Sequence, residues 1–276
     1  QLSTPGPTGS DNILVTGTVV DNNGCEDIND NATADTSIYY YKAATKGYAD
    51  CDIVGESNDN YCYAIKDCAY DAGTCTGTTD SDSTFTCTVA IKYHADPTDG
   101  ANATDSTWWD YTWRATLIGS DGTESDTMES TPDTVEMLSF MSYDVVETGI
   151  AYGNPLAPGE TSADKTTTVK ALGNVGLDTN LYSTNANMCN NYPTCDDKTM
   201  AIAQQHWDSV DDLWADMSTL TTTTSDELEL NCLKSTSATP ASADVHWKIK
   251  IPDPQAAVSY TGQNTIIGKQ GEAQNW

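Results

Sequence analysis

Basic residues are scarce in this chain. Its 276 residues hold 12 lysines and arginines against 41 aspartates and glutamates, a net charge of −29. Charged residues make up an ordinary 19% of the total, so the imbalance is a shortage of cations. A surface of that kind repels nucleic acid and anionic membranes, both of which are gripped by cationic patches. Histidine is scarcer still. His94, His206 and His246 are the whole complement, and none forms an H-x-x-x-H or H-E-x-x-H pair, which excludes that zinc-hydrolase spacing. No G-x-S-x-G elbow, phosphate loop or dinucleotide fingerprint is present. No apolar run reaches the length of a membrane-spanning helix. Carboxylates are plentiful, but they fall mostly in turns and no pair is singled out for acid–base work. The expectation is a chain that is not an enzyme.

Nine cysteines are present, without any C-x-x-C pair. That usage points to disulfides in an oxidising compartment. Cys25, Cys51, Cys62, Cys68, Cys75 and Cys87 fall in the first half and allow 15 pairings. Cys87 lies on the inward face of a strand, which favours Cys25–Cys87 as the long-range bond, with local bridges among the other four. Cys189 and Cys195 are spaced to close the tight loop CNNYPTC, leaving Cys232 as an odd thiol, either buried or bridging two subunits. The sequons at Asn31 and Asn102 agree with an extracellular or cell-surface location and glycosylation. The chain opens on Gln1 without an apolar leader, so a signal peptide is expected to have been removed.

The central pattern runs through residues 83–121. Phe85, Cys87, Val89, Ile91 and Tyr93 share one strand face; Trp109, Tyr111, Trp113, Ala115 and Leu117 share another. Period-two alternation on both sides of a polar loop predicts two half-buried strands, read as an antiparallel pair forming one wall of a sandwich. Residues 13–20 and 36–41 predict two further strands. Between them, Asp21, Asn23, Glu26, Asp27 and Asp30 gather oxygen ligands of the kind Ca²⁺ takes, although the spacing is not that of an EF-hand; a solvated acidic turn is the alternative. Calcium is the one cofactor the sequence suggests. Asp96-Pro97-Thr98-Asp99 reads equally as a cation site or a proline-set turn.

In the second half, Val245, Trp247 and Ile249 alternate with His246, Lys248 and Lys250, and Leu228 and Leu230 alternate with Glu227 and Glu229. Ile202, His206, Val210, Leu213 and Met217 are spaced as in a short amphipathic helix or an irregular crossover. Leu156-Ala157-Pro158-Gly159-Glu160, then Leu172-Gly173-Asn174-Val175-Gly176-Leu177-Asp178, then the run from Ile251-Pro252 to Tyr260-Thr261-Gly262 together resemble immunoglobulin-like surface modules of bacteria and archaea that read LxPGE, NTGNVxLD and VPxxxxxGxYTG. The pattern departs at Lys170-Ala171-Leu172, where polar residues are usual, and at Val258, where glycine is usual. VTGTVVDNNGC, FTCTVAIKY and ADPTD in the first half are similar to a partner module of such proteins. The resemblance implies a β-sandwich fold and a cell-surface context.

The expected architecture is all-β: a tail over residues 1–12, a disulfide-rich immunoglobulin-like domain over 13–142 and a second immunoglobulin-like sandwich over 143–276. The expected role is a structural subunit of an extracellular filament or surface layer, whose partner is another copy of itself, joined head to tail through residues 1–12, residues 265–276 or an exposed edge strand. The alternative is a monomeric carbohydrate-binding or adhesin module, for which Trp108, Trp207 and Trp214 are the aromatic residues free to meet a glycan.

Overall fold

A computed structural model describes residues 11–26, 37–42, 51, 58–65, 68–71, 73–99, 112–120, 125–129, 135–153, 155–223 and 227–271. The fold is all-β, as two β-sandwiches. The chain divides into a unit of residues 1–140 with 236–239 and a unit of residues 141–235 with 240–276.

Among the described residues the first unit has two sheets. One has the order β1-β5-β4, from β1 (Asp11–Val20), β5 (Asp82–Ile91) and β4 (Ala69–Tyr70); the other has the order β3-β2-β6-β7, from β3 (Cys62–Ile65), β2 (Ser37–Lys42), β6 (Trp113–Ser120) and β7 (Ser125–Glu129). The alternation of β5 is real: Phe85, Cys87, Val89 and Ile91 are buried. Its partner is not the one expected. β5 pairs with β1 and β4, and β6 pairs with β2 and β7. The two apolar faces therefore form opposite walls, with Cys87, Val89 and Ile91 in one cluster with Trp113, Ala115 and Leu117. Alternation identifies a buried face but not the strand that hydrogen-bonds beside it. The sheets approach closely at Gly17 of β1, where a Cβ atom would stand 2.5 Å from Leu117 Cδ2.

The disulfides also differ from the favoured pairing. Cys25 bonds Cys75, Cys51 bonds Cys62, Cys68 bonds Cys87, and Cys189 bonds Cys195. Pairing of Ala69 with Thr86 sets Cys68 against Cys87, while the Cys25 N–H donates to the Asp80 carbonyl (2.8 Å), beyond the far end of β5. Cys25 thus lies at the turn end of the sheet beside Cys75, and Cys87 lies mid-strand.

The second unit stacks a five-stranded sheet, β14-β13-β16-β9-β8, on a three-stranded one, β15-β10-β17, with a hairpin β11-β12. Its strands are β8 (Tyr143–Val145), β9 (Lys165–Ala171), β10 (Leu177–Ser183), β11 (Asn187–Cys189), β12 (Thr199–Ala201), β13 (Gln205–Asp208), β14 (Ser218–Thr219), β15 (Glu227–Cys232), β16 (Ser242–Ile249) and β17 (Asn264–Gln270). Val169, Leu181, Val245 and Trp247 are fully buried at its centre, and Trp247 Nε1 donates to Thr167 Oγ1 at 2.8 Å. The helical option over residues 198–220 is corrected to an irregular crossover of β12, a 3-10 turn at Ile202–Gln204, β13 and β14. Ile202 and Met217 are buried there, while Val210 and Leu213 are exposed, so the apolar steps do not share one face.

The residues carrying the surface-module resemblance build turns and ties. Gly159 has φ +83°, a left-handed turn conformation that favours glycine, and Glu160 Oε2 accepts the Ala157 N–H at 2.8 Å. Asp178 is buried and accepts the Asn231 N–H at 2.8 Å.

Candidate assembly surfaces

A sheet edge offers unpaired N–H and C=O groups to any strand that reaches it, and proteins usually blunt such edges. Most edges among the described residues are blunted. β4 and β14 have two residues, β8 has three and β3 has four. β7 carries Asp126 and Glu129. β15 carries Glu227 and Glu229, shifts register against β10, and holds Asn231 at φ +50°.

Two edges lack these devices. β1 is ten residues long, pairs on one side with β5 in unbroken register, and has no charge from Asn12 to Val20. β17 is seven residues long, pairs on one side with β10 in unbroken register, and carries Lys269 as its only charge. In a chain of net charge −29 both edges are free of carboxylates except for Asp11 at the start of β1.

The hydrogen-bond parity of each edge is fixed. The Asp21 N–H donates to the Ser81 carbonyl at 2.8 Å, continuing the β1–β5 register. The odd-numbered residues of β1 are therefore the bonded pairs, and Asn12, Leu14, Thr16, Thr18 and Val20 turn their amides to the open side. The side chains of those same residues lie on the sheet's outer face, because Ile13, Val15 and Val19 pack inward. Leu14 and Val20 are accordingly 67% and 61% exposed. On β17, the Gly271 N–H donates to the Gly176 carbonyl at 2.8 Å, so Asn264, Ile266 and Gly268 turn their amides outward. The Ile266 carbonyl accepts the Tyr143 hydroxyl at 3.2 Å. Here the side chains of the edge-facing residues point inward: a Cβ atom at Gly268 would meet the Tyr143 ring of the opposite sheet.

Beside β17 the second sandwich opens into a cleft of about 1240 Å³, lined by Asn264 and Ile266, by the segment 147–153, and by Trp247, Ile249 and Ile251. Ile150, Tyr152 and Leu156 of the neighbouring segment pack on the core. The Tyr152 hydroxyl donates to Gln205 Oε1 at 2.7 Å, Asn264 Nδ2 donates to the same oxygen at 3.0 Å, and Gln205 Nε2 reaches Met188 Sδ at 3.1 Å. Burial pushes the Tyr152 phenol well above its usual range, so it remains a donor.

The candidate residues read from the sequence are dispersed. Asp21, Asn23 and Glu26 are described, and the Asp21 carboxylate accepts the Asn23 N–H at 2.7 Å as an Asx turn. Asp27 and Asp30, the sequons at Asn31 and Asn102, and Trp108 lie outside the described residues. Among the described residues no three His, Cys, Asp or Glu side chains group as metal ligands. Asp99 accepts both the backbone N–H and the hydroxyl of Ser139, at 2.8 and 2.7 Å, so its proline-set turn ties two segments together. Two of the tryptophans offered to a glycan are otherwise engaged. Trp207 is buried at 5% exposure, and Trp214 stacks on His206 at 4.0 Å with Lys250 Nζ 5.1 Å from its ring. His94 is buried in the loop after β5, beside Tyr93. Cys232 is a buried free thiol, and burial pushes its pKa up to about 11. Sequence reasoning named residues 265–276, which hold most of β17, but not β1. The signal for β1 was the absence of charge from Asn12 to Val20 in an acidic chain.

No protein-family model matches the chain, and no curated protein matches it. Two solved structures are similar to it over nearly the whole length. The first is the CsuC–CsuE chaperone–tip adhesion subunit pre-assembly complex from the archaic chaperone-usher Csu pili of Acinetobacter baumannii, at 9% identity and TM-score 0.33, covering 97% of this chain and 96% of that one. The second is a chaperone–tip adhesin complex of CFA/I fimbriae, at 9% identity and TM-score 0.40, covering 98% of this chain and 94% of that one.

Proposed function

We propose that the chain is a non-enzymatic structural subunit of an extracellular filament or surface layer, joined to copies of itself head to tail through strand edges. The observation that carries this reading is β1, a ten-residue edge with an open row of amides, nine consecutive uncharged residues and exposed Leu14 and Val20, in a protein of net charge −29. An edge of that length without a protecting charge, proline or bulge is a template for another strand. A contact between different surfaces on successive copies does not close, so it grows a fibre. Four disulfides suit an oxidising, extracellular setting, where they hold each subunit folded. The test is negative-stain electron microscopy of native material before and after reductant. Long regular fibres are the expected result; monodisperse particles under all conditions overturn the reading.

A further inference from the structure

We infer that the edge receiving β1 is β17 of the next copy, in an antiparallel pairing that turns Leu14 and Val20 into the cleft beside β17. This rests on the filament reading above and names its contact. Both are the long edges among the described residues that charge, shortness or irregularity leaves unprotected, and one lies in each unit. A chain with one such edge in each sandwich, unlike in sequence, joins heterologously.

Parity decides the orientation. In an antiparallel pair, residues that exchange hydrogen bonds stand opposite each other with side chains on one face. The edge-facing residues of β1 are even-numbered with side chains on the outer face; those of β17 are even-numbered with side chains on the core face. Antiparallel pairing therefore continues the outer face of β1 into the core face of β17. Leu14, Thr16, Thr18 and Val20 then stand over the cleft that Ile266, Ile150 and Ile251 line. Two exposed apolar side chains of one copy and the apolar wall of the next copy's cleft, at Ile150, Ile251 and Ile266, account for each other. The same parity places Ile267, 38% exposed on the outer face of β17, on the side of Ile13 and Val15. Parallel pairing would match outer face to outer face and leave Leu14 and Val20 in water. The charge pattern agrees. Copies that repel one another meet where carboxylates are fewest.

The test uses two variants of the full chain. Thr16→Pro removes an edge-facing N–H without removing a β1–β5 bond, because Thr16 belongs to a non-bonded pair. Ile267→Lys puts a charge on the outer face of β17. Each variant is checked for wild-type circular dichroism and melting, then followed by sedimentation and microscopy. Alone, each is expected to need at least tenfold more protein than wild type to form fibres. Mixed in equal amounts, they are expected to stop at dimers, since the open β1 of one meets the open β17 of the other and both remaining ends are blocked. Fibres from folded Thr16→Pro at wild-type concentration overturn the β1–β17 contact while leaving the filament reading intact. A mixture that remains monomeric, or that grows long fibres, also overturns it. Wild-type protein that never assembles overturns both.

Discussion

Removing the Cys25–Cys75 bridge should destabilise the first unit about twice as much as removing Cys189–Cys195 destabilises the second. Chain-entropy reasoning ties the effect of a cross-link to the loop it closes. The two bonds close sequence separations of 50 and 6 residues. The loop-closure relation gives about 4 kcal/mol for the longer and about 2 kcal/mol for the shorter. The bond between Cys51 and Cys62 lies within the longer loop and shortens its effective length only slightly. With unfolding entropies of about 2 cal/mol/K per residue, units of this size should lose roughly 14 °C and 8 °C in melting temperature, respectively. The assay is differential scanning calorimetry of Cys25→Ala/Cys75→Ala and of Cys189→Ala/Cys195→Ala. Each unit has its own buried cluster, so each double variant should move one transition and leave the other in place. Equal losses from the two variants, or a larger loss from the short loop, would refute the loop-length argument. Movement of both transitions together would refute independent cores.

Three other outcomes follow from the packing. Cys232 is buried with its pKa raised to about 11 from an ordinary 9.0, so it should resist alkylation at pH 8 in the native chain and react within minutes in denaturant. The unfolded chain loses that proton first as pH rises, so this thiol's contribution to stability falls between about pH 9 and 11, and Cys232→Ala should flatten that part of the profile. Gly17→Ala forces Leu117 to shift and should lower the first unit's stability by about 1–3 kcal/mol, read by denaturant unfolding; no change would mean that the sheets are not in contact there. Tyr152→Phe removes one of the two donors to Gln205 Oε1 and should cost the second unit about 1 kcal/mol, with the first transition unmoved in calorimetry.

How much of this was legible in the sequence varies with the range of the interaction. The buried faces of β5 and β16 could be read directly, because side-chain direction along a strand has a period of two. The neighbour of β5 could not. Nothing in residues 83–121 says whether two apolar faces lie side by side or face to face, and they lie face to face. The partner of Cys87 was hidden for the same reason, since Cys68 reaches it only through the β4–β5 pairing. Over residues 198–220, the helical spacing arose from buried Ile202 and Met217 and exposed Val210 and Leu213, which serve different local turns. For the assembly surfaces, the missing charge from Asn12 to Val20 was in plain view. Its meaning needed the register, which alone tells that the amides of Leu14 and Val20 are open and their side chains outward.

If the chain assembles as proposed, its charge also sets the condition under which it does so. Each copy would bring a net charge of −29 to the proposed contact, while β1 and β17 are almost uncharged. Repulsion is therefore long-ranged and attraction short-ranged. The Debye length falls from about 10 Å at 0.1 M salt to about 3 Å at 1 M, so added salt weakens the first and leaves backbone hydrogen bonds and apolar contact intact. Raising sodium chloride across that range should speed fibre growth and lower the concentration at which fibres appear, as read by light scattering and sedimentation. Fibres that dissolve in high salt would refute this, because they would have to be held by ion pairs across the contact. The same titration isolates calcium. If the divalent ion acts by screening alone, calcium chloride and sodium chloride matched in ionic strength should give equal rates; a response at about 1 mM Ca²⁺, reversed by chelator, would instead require carboxylates that bind the ion directly.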